Sequence, residues 1–183
     1  MSAPKEIRDF LLCIFLYKLD DLKALVEKYG AETVISCGTL CRVAGRNLEM
    51  VEYLLSLGAD PNQMIAYERY GFPTFPLYEA TRSGKVDIIQ ALYNYGANIN
   101  QEFTDDSNRR ALSAVVGYNL NDNHLNALKK LLELGADVNY HYYPFGKEGF
   151  CCSPLGETID AREYAKKRDA TPKLKNSTRS SRY

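Results

Sequence analysis

The sequence predicts an all-α protein, a solenoid of stacked helix-turn-helix pairs with variable loops, on three observations. Four segments end alike: Leu25-Val-Glu-Lys-Tyr-Gly-Ala, Leu54-Leu-Ser-Leu-Gly-Ala-Asp-Pro-Asn, Ala91-Leu-Tyr-Asn-Tyr-Gly-Ala-Asn-Ile-Asn and Leu131-Leu-Glu-Leu-Gly-Ala-Asp-Val-Asn. Upstream of the last three stands a leucine that opens a short helix: Leu40, Leu77 or Leu112. From those leucines to the next glycine the distances are 18, 19 and 23 residues, whereas from each glycine to the next such leucine, ending at Leu155, they are 10, 19, 16 and 20. The helical pair varies little and the connection varies twofold, as expected of a stack in which insertions go to loops and the packed unit is held.

Each terminal segment has apolar residues at helical spacing followed by glycine, which takes the left-handed conformation past a helix end without a Cβ clash. Gly30, Gly58, Gly96 and Gly135 are therefore read as helix stops. Working back from them gives a capping pair at 5–17 and 20–29. Helix pairs follow at 39–45 with 48–57, 76–83 with 86–95, and 111–117 with 124–134. Pro76 stands at a first helical position, where its missing N–H costs nothing. Gly84 is the expected turn between two helices, and Ile88, Ile89 and Leu92 the core stripe of the second. Ser153-Pro154-Leu155 repeats the start with a serine N-cap, so 154–168, charged on its outer side, is expected to be a C-terminal cap. Residues 1–168 then form one domain. Residues 169–183 lack apolar periodicity and read as a basic, disordered tail.

The stretch from Pro76 through Ala91-Leu-Tyr-Asn-Tyr-Gly-Ala-Asn-Ile-Asn resembles the ankyrin repeat, and the resemblance covers residues 5–168. It implies a solenoid with finger loops, inner first helices along a concave face, and a binding rather than catalytic role. The chain departs from the pattern in places. The Gly30 connection is too short for a full finger. The Leu40 repeat loses one residue between its helices, and the Leu112 repeat gains about four around Tyr118 to Asp122. Phe75 replaces the usual Thr, and no repeat has the His after Pro-Leu. The resemblance also implies that Asn139, and less well Asn100, match a position where family asparagines can be hydroxylated.

Of 183 residues 45% are hydrophobic, enough for a real core. The formal net charge of zero hides an asymmetry: Arg162 to Tyr183 carries eight basic and two acidic side chains, leaving 15 basic and 21 acidic in residues 1–161. An acidic body disfavours nucleic acid. The most apolar run, Phe10 to Tyr17, is too short to cross a bilayer and lacks a signal peptide's flanks. The five cysteines, Cys13, Cys37, Cys41, Cys151 and Cys152, form no CxxC pair, which favours reduced thiols and an intracellular home. The expected location is the cytoplasm. The basic tail, including Lys166-Lys167-Arg168, offers a nuclear route, and the host cytosol is the alternative for a secreted effector.

Phosphate-loop and nucleophile-elbow motifs are absent, and neither cofactor, metal nor small-molecule substrate is called for. His124 falls at the start of a second helix and reads as a structural hydrogen-bonder. Cys151 and Cys152, ten residues from His141, are a remote alternative as a cysteine-dependent centre. The binding surface is expected on the aromatic fingers and the inner helices. The candidates are Tyr67, Tyr70, Phe72, Phe75, Tyr78, Arg82, Phe103, Arg109, Tyr118, Tyr140, Tyr142, Tyr143 and Phe145, because tyrosine offers large contact area at small entropy cost. The reading is of a monomeric protein-protein interaction module, an adaptor or inhibitor; the alternative is a secreted effector or viral host-mimic using the same surface.

Overall fold

In the computed structural model, the structure describes residues 4–12, 18–66, 73–105, 107–115, 121–143 and 153–154. The helices in chain order are α1 (Lys5–Leu12), α2 (Leu19–Tyr29), α3 (Ala31–Ser36), α4 (Thr39–Ala44), α5 (Leu48–Ser56), α6 (Pro76–Arg82), α7 (Val86–Asn94) and α8 (Asp122–Glu133), with a 3-10 helix at Ala111–Val115. They stand in two rows. The inner row runs α4, α6 and the 3-10 helix; the outer runs α2, α5, α7 and α8. Leu40, Leu77 and Leu112 from the inner row and Leu54, Leu92 and Leu131 from the outer are all at most 1% exposed and belong to one apolar cluster. Burying such a leucine is worth about 1.5–3 kcal/mol, so this seam carries the stack.

Gly58, Gly96 and Gly135 close the outer helices α5, α7 and α8 with φ near +90°. At each stop the following alanine, Ala59, Ala97 or Ala136, donates back to Leu54, Leu92 or Leu131, while the glycine itself donates to the residue three before it. That is the Schellman closure, repeated three times. Gly30 behaves differently. Its φ of 81° comes with a ψ of 149°, it donates to Val26, and it also serves as the N-cap of α3. The short Gly30 connection is thus filled by a helix, α3, that the sequence pattern does not announce.

Turn chemistry sets how closely repeats approach. Gly84, at φ +66°, lies where a Cβ would come within 2.8 Å of the Asn123 Cβ, and a Cβ on Gly45 would stand 2.7 Å from the Ser83 hydroxyl. At these two turns the glycine of one unit leaves room for Ser83 or Asn123 of the next. Asn47 and Asn121 cap α5 and α8 by accepting from the Met50 and His124 N–H groups, both at 3.0 Å.

Three boundaries are corrected. The helix expected at 111–117 is a 3-10 helix over Ala111–Val115, where Arg110 O accepts both the Ser113 N–H and its hydroxyl, and 116–117 lie outside the described residues. The helix expected from 124 begins at Asp122, because Asn121 is the capping residue. The first finger carries two short strands, β1 (Ile65–Ala66) and β2 (Pro73–Thr74), antiparallel with Ile65 opposite Thr74. The expected helical run to 17 is described as far as Leu12, and 13–17, 169–183 and most of 154–168 lie outside the described residues.

Candidate protein-interaction surface

The fingers are organised by one asparagine that recurs four residues after Gly58, Gly96 and Gly135, though not after Gly30. Within each finger an Asx turn forms: Asp60, Asn98 and Asp137 accept from the N–H groups of Asn62, Asn100 and Asn139 at 2.8, 3.0 and 2.8 Å. Asn62 then reaches across to the next finger, donating to Gly96 O at 3.0 Å and accepting from Asn98 N–H at 2.7 Å. Asn100 does the same one repeat on, donating to Gly135 O at 3.2 Å and accepting from Asp137 N–H at 2.8 Å. Each amide uses both of its ends, so neighbouring fingers are held in fixed register.

Two arginines complete the tie. Arg110 pairs with Glu102 at 2.6 Å and Asp137 at 2.9 Å, and lies over the Tyr140 ring, 4.5 Å from its centroid. Burial works against its charge, but the hydrogen bonds to Glu102 and Asp137 outweigh that and hold it charged. Arg109 pairs with Asp105 at 3.0 Å and covers the Phe103 ring at 4.7 Å. Burial pushes the Asp105 carboxyl up, yet the bonds from Ser107 and Arg109 pull it below its ordinary value. Asn108, the one described non-glycine residue at positive φ, turns this finger, a conformation asparagine tolerates. The second finger closes through Phe103 N–H to Arg109 O, and the third joins it through Tyr143 N–H to Ser107 O at 2.7 Å.

The expected contact residues divide. Phe75, Phe103, Tyr140 and Tyr142 are 0, 5, 6 and 3% exposed, and the expectation that they face a partner is corrected. They are core rings because the fingers fold on themselves. Phe75 meets Phe103 at 4.9 Å, Tyr78 meets Phe103 edge-on at 4.8 Å, and Tyr140 meets Tyr142 at 5.8 Å. Burial also pushes the Tyr140 phenol up to about 12. Tyr78, Arg109 and Tyr143 are half-buried, and Arg82 is exposed beside its partner Glu79. Glu79 is itself buried, and its other oxygen accepts from the Thr74 hydroxyl at 2.8 Å, while Phe75 makes no side-chain cap on α6. Tyr67, Tyr70, Phe72, Tyr118 and Phe145 lie outside the described residues. The structure thus brings Tyr78, Phe103 and Arg109 together from α6 and the second finger, and Tyr140 together with Arg110. Sequence reasoning missed the asparagine ladder; its signal is the fixed Gly-to-Asn spacing of four.

His124 fulfils its structural reading: its Nε2 lies 3.0 Å from Arg82 O, joining α8 to α6. His141 is exposed. Burial raises the thiols of Cys37 and Cys41 above their ordinary value, which disfavours the thiolate; Cys151 and Cys152 lie outside the described residues. No helix among the described residues is long and apolar enough to cross a membrane.

Two rows of helices closed by Gly-Ala-Asx stops, with fingers laced in register, match a known pattern, and a family model for ankyrin repeats fits residues 40–141 in three copies. The chain belongs to the ankyrin-repeat family. Ankyrin repeats are generally protein-interaction modules, and the family is typically non-catalytic. Among curated relatives, alpha-latroinsectotoxin-Lt1a of Latrodectus tredecimguttatus is 30% identical over 97 residues, 53% of this chain and 6% of the relative. Alpha-latrocrustotoxin-Lt1a of the same organism is 29% identical over 128 residues, 67% of this chain and 8% of the relative. The chain therefore spans less than a tenth of either ankyrin-bearing relative.

Proposed function

We propose that this ankyrin chain is a non-catalytic protein-binding module that holds its partner between the fingers and the inner helices. The observation that supports it is the lacing of the fingers. Asn62, Asn100 and Arg110 fix the described parts of the three arms relative to one another without any partner, so those parts have little conformational freedom to lose on binding. Beside the laced arms stand Arg82 at the end of α6, the half-buried edge of Tyr78, and Tyr143 on the third finger. A cationic group and two phenols on a rigid frame suit a folded or extended protein surface carrying carboxylates and apolar side chains.

The test is capture. Proteins retained from a lysate by the wild-type chain are compared, by mass spectrometry, with those retained by an Arg82→Ala/Tyr143→Ala variant whose melting matches wild type. A set of proteins lost with the variant supports the reading. Equal retention by both overturns the assignment of this face. A second reading, an effector acting on proteins of another organism, draws on the similarity to two toxins and uses the same surface.

A further inference from the structure

The described helices divide their charge by row. The outer helices α2, α5, α7 and α8 carry eight carboxylates against four lysines. The inner helices α4 and α6, the 3-10 helix and the turns 45–47 and 83–85 carry four cations, Arg42, Arg46, Arg82 and Lys85, against one carboxylate, Glu79. Glu79 is engaged internally: it is 5% exposed, and its two oxygens accept from the Thr74 hydroxyl and the Arg82 guanidinium. Arg82 still exposes 57% of its side chain, Arg46 is exposed and Arg42 is half-buried. A chain whose formal net charge is zero is thus acidic along its outer row and basic along its inner one.

These cations adjoin one another. The end of α4 meets the last turn of α6, where a Cβ on Gly45 would stand 2.7 Å from the Ser83 hydroxyl and 3.3 Å from Glu79 O. Arg46 follows Gly45 and Arg82 precedes Ser83, so adjoining backbone carries both. Toward the fingers, burial raises the Tyr78 phenol above its ordinary value while Arg109 and Arg82 act against it, which places both guanidinium groups near that ring. A basic ridge therefore crosses two inner helices and ends on a half-buried phenol.

We propose that the inner row receives an extended acidic segment of the protein partner, whose carboxylates meet Arg46 on the α4 side and Arg82 on α6 and whose chain packs on Tyr78. This rests on the reading of the chain as a protein-binding module and names the chemistry of what it holds. Charge complementarity selects the occupant. A basic segment is repelled by the inner row, and a nucleic acid long enough to gain from phosphate contacts also meets the acidic outer row. Spacing selects the form of the segment. Neighbouring helices pack about 8–10 Å apart, and a polyproline-type chain rises about 3.1 Å per residue and returns to the same side about every three residues. Acidic side chains three residues apart therefore reach α4 and α6 in register.

Fluorescence polarisation on the full chain tests this with labelled peptides. One consists of four Glu-Ala-Pro units, one of four Gln-Ala-Pro units, and one has the composition of the first with its glutamates consecutive. The Glu-Ala-Pro peptide is expected to bind about tenfold or more tighter than the glutamine peptide, and tighter than the clustered one. An Arg46→Glu/Arg82→Glu variant should lose about tenfold or more of that affinity, whereas Lys129→Glu/Lys130→Glu, the same change in net charge placed on α8, should keep it. Melting is read for both, and Arg46→Gln/Arg82→Gln replaces the first variant if reversal lowers it. Equal binding of the glutamate and glutamine peptides overturns the proposal. So does an equal loss in the two reversal variants, or tighter binding of single-stranded oligothymidylate than of any peptide. The binding-module reading is decided separately, by the capture comparison above.

Discussion

Neighbouring repeats meet twice, once along their helices and once along their fingers, and the two contacts are made differently. Between α5 and α7 the contact is apolar: Met50, Val51, Leu54, Ile88, Ile89 and Leu92 share one buried cluster. Between the first and second fingers it is polar and directional: one amide, Asn62, clasps a carbonyl and an N–H of the next turn. Apolar burial scales with area and is indifferent to small sliding, whereas a two-ended amide clasp is made at one register only. The helices thus supply cohesion and the fingers supply alignment, so damage to each side should look different.

The largest effect is expected on the helix side. Leu92→Ala removes a side chain with no exposure from the middle of the stack, and should cost about 2–5 kcal/mol in urea unfolding. Next comes the turn. Gly84→Ala combines positive φ with a Cβ 2.8 Å from that of Asn123, whereas Gly96→Ala has positive φ and open space. Both should destabilise, Gly96→Ala by about 1 kcal/mol and Gly84→Ala by about 1 kcal/mol more; equal losses would show that the turns do not touch. On the finger side, Asn100→Ala severs both bonds to the third finger and should cost about 1–2 kcal/mol. Its exchange signature should be confined to residues near 96–110 and 135–143, leaving the helical amides slow.

Acid sharpens the contrast further. Asp105 is held below its ordinary value by Ser107 and Arg109 despite burial, and Asp137 by the Asn139 N–H and by Arg110. Carboxyls depressed in the folded state contribute stability that is complete above their unfolded value of about 4 and is lost as pH falls through the folded value. The fingers should therefore loosen below about pH 4, before the helix stack does, in a titration followed by NMR. The smallest effect is expected at the first cap. Lys28→Ala breaks an ion pair with Glu6 at 2.7 Å in which both side chains are more than half exposed, and melting should stay at the wild-type value.

The same division explains what the sequence reveals. Ile88, Ile89, Leu92 and the glycine that follows are legible because helix periodicity and helix termination are local, so the outer helices and their stops can be read directly. Pro76 and Gly84 are legible for the same reason. The finger rings are a different matter. Phe75, Phe103, Tyr140 and Tyr142 look like contact residues because loops are usually exposed, and nothing in the pattern says that Arg109 will lie over Phe103 of its own finger or Arg110 over Tyr140 of the next. Burial there depends on pairs drawn from neighbouring repeats. α3 escapes detection because Gly30, which reads as a stop, both ends one helix and begins another.

The turns at Gly45 and Gly84 have a consequence for how one repeat sits on the next. At the turns one side of the contact is a glycine with no side chain, set against the Ser83 hydroxyl or against Asn123, while on the finger side an asparagine side chain spans the gap. The turn side is thus the tighter of the two, with no slack for added bulk. A single methyl added at the turn is therefore expected to act as a wedge, shifting one repeat against the next without altering any finger residue.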